Sequence, residues 1–124
     1  MISPEKLYKL VEVCIKEGNY IIRDKGMLKS IVHNAFYFSR DPIDVVLKIF
    51  YDIITLHPLV DGNKRTAVCF LISALDLLGY DVYFTNYELL EIALGVATNK
   101  ISLHQLKRIL MESIKRKSFP SKLV

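Results

Sequence analysis

Apolar residues recur along this chain with a helical period. Leu7, Leu10, Val11 and Cys14 share one face of a first segment, and Met27, Leu28, Ile31 and Val32 one face of a second. Ile43, Val46, Phe50 and Ile53 mark a third, and Ala67, Phe70, Leu71, Ala74 and Leu78 a fourth. Start and stop chemistry brackets them. Ser3-Pro4 offers a capping hydroxyl and a proline at the first helical position, and Gly18 a terminus. Asp24 caps a helix through about Ala35 after an extended Asn19-Tyr20-Ile21-Ile22. Asp41-Pro42 opens the third helix, and Pro58 closes it near His57, because a residue before proline is disfavoured in the α region. Asn86 caps a helix to about Thr98, and Ser102 with Gln105 forms a capping box for a last one along Leu106, Ile109 and Leu110.

The intervening stretches read differently. Phe36-Tyr37-Phe38-Ser39-Arg40 is an aromatic run too short for a helix of its own, so it predicts a loop or edge segment. Gly79 suits a left-handed helix terminus, and Tyr80-Asp81-Val82-Tyr83-Phe84 a short extended connector with no second strand to pair. The pattern predicts an all-α fold, a compact bundle of six helices in one domain over residues 1–117. The basic, proline-interrupted end from Lys115 should fray, leaving 118–124 as a flexible tail.

Composition narrows the classes. A chain of 124 residues buries about two-thirds of its unfolded surface in a single core. Its hydrophobic share is 52%, yet charges interrupt it before any run of about 18 apolar residues could span a bilayer. The start, Met1 to Lys6, lacks a basic segment followed by an apolar core, which predicts a cytoplasmic location. Cys14 and Cys69 stand among apolar residues without metal-ligand spacing and read as buried, reduced thiols. A net charge of +4 would permit nucleic-acid binding, but the 17 basic residues are interspersed with 13 acidic ones except around 115–122. With no basic stripe interleaved with aromatics and no recognition-helix motif, a nucleic-acid partner is not expected.

The chemistry concentrates in His57-Pro58-Leu59-Val60-Asp61-Gly62-Asn63-Lys64-Arg65-Thr66, a loop between the two central helices. The helix starting near Asn63 offers unpaired N–H groups and the positive end of its dipole, and Gly62 lets a backbone approach closely, so a phosphate fits there. Lys64 and Arg65 lie in the first turn, where the dipole disfavours cations by roughly 0.3–1 kcal/mol each. Taken singly these residues are ordinary: Asp61 or Asn63 as a cap, Gly62 as a turn, the cations in water. Together they point to a site.

The same residues, extended to Ala67, resemble the motif of the Fic/Doc family in the form carried by the death-on-curing toxins. The resemblance continues through Ile2-Ser3-Pro4-Glu5, Asp24-Lys25-Gly26-Met27-Leu28, Gly95-Val96-Ala97-Thr98 and Ile101-Ser102. It implies transfer of a phosphate-containing group from ATP with Mg2+ to a protein hydroxyl. His57 would be the general base, Asp61 the metal ligand, and Gly62, Asn63, Lys64 and Arg65 the phosphate-binding set, with Lys64 and Arg65 also neutralising charge on the transferred group. Lys64 stands where adenylylating members usually have a second glycine, and Val68 where they usually have a second arginine. Both departures imply the death-on-curing branch, which phosphorylates a translation elongation factor with ATP bound in reverse. Leu59 replaces the usual phenylalanine and keeps an apolar anchor. Glu17-Gly18 resembles the inhibitory glutamate motif of self-repressed members, but Val13 stands where that motif needs a hydroxyl, so a separate antitoxin partner is implied. The resemblance also implies a flap beside the site, assigned to the aromatic run at 36–40. Adenylyl transfer is the competing reaction, and a non-catalytic protein-binding module on the same fold the competing class.

Overall fold

A computed structural model describes residues 2–117. Six helices follow one another: α1 (Pro4–Gly18), α2 (Lys25–Phe38), α3 (Pro42–Leu56), α4 (Asn63–Leu77), α5 (Asn86–Ala97) and α6 (Leu103–Met111). The expected all-α bundle is what the chain forms. Two three-residue strands, β1 (Tyr80–Val82) and β2 (Ile114–Arg116), add an antiparallel ribbon.

Capping chemistry places the helix starts. The Ser3 hydroxyl accepts from the Lys6 N–H, Asp24 from Met27, and Asp41 from Ile43. Ser102 and Gln105 form the expected capping box, whereas α5 is capped one residue earlier than expected, by Thr85 in a box with Glu88.

α3 is the core of the molecule. Ile43, Val45, Val46, Leu47, Ile49, Phe50, Ile53 and Ile54 are all buried, so this helix is apolar nearly all round and is wrapped by its neighbours. α4 packs beside it through Ala67, Phe70, Leu71, Ala74 and Leu75, and α1 covers α4 with Leu7, Val11 and Ile15. The two helices that flank the motif are therefore held on several sides.

Four expectations need correction. The aromatic run is not a loop: α2 continues through Phe38, because Phe36 extends the stripe begun by Leu28, Ile31, Val32 and Ala35 and packs on the core. The connector at residue 80 does find a partner, since Ile114 is buried and draws the following residues into pairing with Tyr80, Asp81 and Val82. Arg116 lies over the Tyr80 ring, and the Lys117 ammonium reaches both Asp76 and Asp81. The basic end is thus ordered as far as Lys117, and the tail expected at 118–124 lies outside the described residues. Finally, Cys14 and Cys69 are not free thiols. They form a disulfide between α1 and α4, with Cα atoms 5.9 Å apart, where the two helices cross.

Candidate functional site

α3 ends at His57, whose N–H donates to the Ile53 carbonyl and whose backbone is left-handed at φ 54°, ψ 61°. The expectation that Pro58 would displace His57 from the right-handed α region holds, and the residue turns left-handed. For a residue with a Cβ this costs on the order of 1–2 kcal/mol, so neighbouring contacts must hold it there.

Those contacts come from an arm formed by Ile21, Ile22, Arg23 and Asp24. Ile22 bridges antiparallel to Leu59, and the Val60 N–H donates to the Ile21 carbonyl at 2.9 Å. The N–H groups of Arg23 and Asp24 both donate to the Pro58 carbonyl, at 2.8 and 3.0 Å. The Arg23 guanidinium donates to the carbonyls of Leu56, at 3.2 Å, and of His57. The segment lying against the motif loop is this arm; of the residues proposed as a flap, 36–40, the first three belong to α2 and Ser39 is its C-cap.

The loop is braced from within as well. Leu59 is fully buried, which bears out the apolar anchor. Its N–H donates to Asn63 Oδ1 at 2.9 Å, and Asn63 Nδ2 donates to its carbonyl at 3.1 Å. Through its oxygen and one N–H the side-chain amide of Asn63, a residue expected in the phosphate-binding set, braces the loop, and the backbone N–H of that residue remains for an anion.

Gly62 precedes α4 at φ 79°, a left-handed conformation, and a Cβ added there would strike the ring of Tyr20. No side chain caps α4, so the N–H groups of its first turn remain open, the first intrahelical bond being Thr66 N–H to the Gly62 carbonyl. His57, Asp61, Lys64 and Arg65 are all exposed around this terminus. The ion pairs among the described residues lie elsewhere, at Lys48–Asp52, Lys107–Asp44, and Lys117 with Asp76 and Asp81, so Lys64 and Arg65 take part in none of them. Val68, one turn further along, is buried and offers an anion nothing polar.

The arrangement can seat a polyphosphate on the open N–H groups and the two cations, with a histidine at the loop's other end. Among the described residues no cluster of three or more acidic, histidine or cysteine side chains could hold a metal by itself. Asp61 alone suits a hard cation that keeps most of its waters and takes its other ligands from phosphates. Sequence reasoning missed Arg23 and Tyr20, because both reach the loop across more than 30 intervening residues and leave no local signal.

Comparison with known proteins gives one family. The sequence model of the Fic/DOC family matches residues 3–75, which takes in α1 to most of α4 and the whole motif loop. No curated protein matches the chain.

Proposed function

The chain belongs to the Fic/DOC family, whose members use a nucleotide to modify proteins, and on that premise we propose that it transfers the γ-phosphoryl group of ATP to a serine or threonine hydroxyl of a protein target. The observation that carries this reading is the pairing of Lys64 with Val68. An exposed lysine occupies the first turn of α4, where a glycine would leave room for the distal phosphates, and a buried valine stands where a second arginine would clamp them. With that room filled and that clamp missing, the nucleotide fits with its γ-phosphate at the loop and its adenosine outside.

His57 takes the proton from the target hydroxyl. The freed oxygen attacks the γ-phosphorus, the bond to the β–γ bridging oxygen breaks, and ADP leaves with the electron pair. The backbone N–H groups of Gly62 and Asn63 and the side chains of Lys64 and Arg65 offset charge on the phosphate oxygens. Mg2+, when bound, neutralises further charge, and Asp61 is the residue that would hold it. The target aligns beside the arm, where Ile21 and Val60 are 68% and 62% exposed and suit an apolar, extended segment such as a translation elongation factor could offer. A cleft of about 520 Å3 along α1, lined in part by Tyr20 and by Ile22 of the arm, offers an antitoxin segment a seat close to the site. We place the protein in the cytoplasm, where such a target is found. Among the described residues no helix is long and apolar enough to cross a membrane.

The test is to incubate the protein and a cell lysate with ATP labelled at the γ position and, separately, at the α position. Label transferred from γ alone is the expected result. Label from α alone replaces the kinase with an adenylyltransferase, and label from neither turns the reading to a binding module.

A further inference from the structure

The arm and the residue before it grip the motif loop at both ends, with the Tyr20 ring against Gly62 and Arg23 at the end of α3. Arg23 alone engages three consecutive carbonyls: its side chain accepts none and donates to Leu56 and His57, while its own N–H donates to Pro58. These are the carbonyls immediately before, at and after the residue that carries the imidazole. A peptide plane fixed on each side of a left-handed residue fixes the direction of its Cα–Cβ bond, and so the cone in which the imidazole can lie.

We propose that Arg23 is a positioning residue for His57, setting the angle at which the imidazole meets the target hydroxyl. This deepens the phosphoryl-transfer reading and rests on it. A guanidinium suits the task because Nη2, the nitrogen that makes both side-chain bonds, carries two coplanar N–H groups held in a fixed plane, one for each of two successive carbonyls at the helix end. A purely structural cap would need none of this geometry. The last carbonyls of α3 are close to solvent, His57 and Arg23 are themselves exposed, and water could satisfy them. What water could not do is hold His57 in one left-handed rotation. Misplacing a reacting group by about 1 Å can cost roughly 100-fold in rate.

The test compares the parent with Arg23→Met, which keeps most of the side chain and removes its donors, and with Arg23→Lys, which restores one donor nitrogen without the guanidinium plane. Two readouts are taken: transfer kinetics, and the backbone and imidazole NMR signals of His57. In Arg23→Met the KM for ATP should stay within about twofold, while kcat falls by about 100-fold, and the His57 signals should split or broaden as the residue samples further conformations. Arg23→Lys should recover at least a tenth of the lost rate. In a His57→Ala background Arg23→Met should lower residual transfer no further. A sharp, unshifted His57 signal in Arg23→Met overturns the proposal, and so does an unchanged kcat or a loss that persists without the imidazole. If the parent transfers no phosphoryl group, the functional reading fails, and the His57 signals still decide whether Arg23 positions the residue.

Discussion

Asn63 binds Leu59 by both of that residue's backbone groups, accepting its N–H at 2.9 Å and donating to its carbonyl at 3.1 Å. Leu59 and Asn63 are both buried, so these bonds close the motif loop where no water can replace them. Asn63→Ala should therefore cost about 1–3 kcal/mol for each orphaned backbone group, and Asn63→Asp should cost at least as much, since it loses the donor and buries a charge. Denaturant unfolding of the three proteins checks this. A loss under about 0.5 kcal/mol for Asn63→Ala would mean that the loop is held by the arm alone.

A second buried polar group lies on α3. Asp52 is 8% exposed, and its carboxyl is pushed above the usual range by burial, against the opposing pull of Lys48, which bonds it at 3.0 Å. A carboxyl that holds its proton more tightly in the folded chain favours folding below its unfolded pKa and loses that contribution as pH rises through the folded value. Asp52→Asn keeps an acceptor for Lys48 without the charge. Relative to the parent, its melting temperature should gain as pH rises from about 4 towards 7. A difference that stays flat across that range, or that runs the other way, would show that Lys48 outweighs the burial.

The Cys14–Cys69 disulfide closes a loop with a sequence separation of 55. By the chain-entropy relation its loss should lower stability by about 4 kcal/mol. Cys69→Ser, at the half-buried partner, tests this with little damage to the core, and reduction of the parent should match it. Unfolding the unreduced protein should release no free thiol. Two thiols per chain under those conditions would restore the expectation of reduced cysteines, which is also the usual state in a reducing cytoplasm.

What was legible in the sequence was local. Helix starts are fixed by side chains within three residues of the N–H groups they cap, so Ser3, Asp24, Asp41 and Ser102 mark them locally. The end of α3 near His57 and the start of α4 at Asn63 followed from proline and glycine chemistry in the same way. What was hidden depends on which elements meet. Nothing near Cys14 says that α1 crosses α4 at Cys69, and nothing near Ile114 says that it will lie against Val82. The candidate site divides likewise. Its chemistry-bearing residues were adjacent and readable, while the arm that shapes them was not. At Asn63 a side chain could serve a ligand or a backbone with equal chemistry, and only the fold shows that it bonds Leu59.

Asp61 is where stability and chemistry come apart. An aspartate just before a helix is most often its cap, and loss of a cap costs about 1 kcal/mol. Here the residue before α4 is Gly62, and no side chain caps the helix. Asp61 is exposed and takes part in none of the ion pairs among the described residues. The fold therefore has little use for its charge, whereas a hard divalent cation does, since a carboxylate is a far better ligand for it than a neutral amide. Asp61→Asn should leave the melting temperature in metal-free buffer within a degree or two, an effect under about 0.5 kcal/mol. The Mg2+ needed for half-maximal transfer should rise by about tenfold or more, since even the partners of metal ligands cost 10–100-fold when removed. Both measurements are needed together. A stable variant whose Mg2+ titration overlays the parent's removes Asp61 from the site, and a variant that melts well below the parent shows that the carboxylate serves the loop after all.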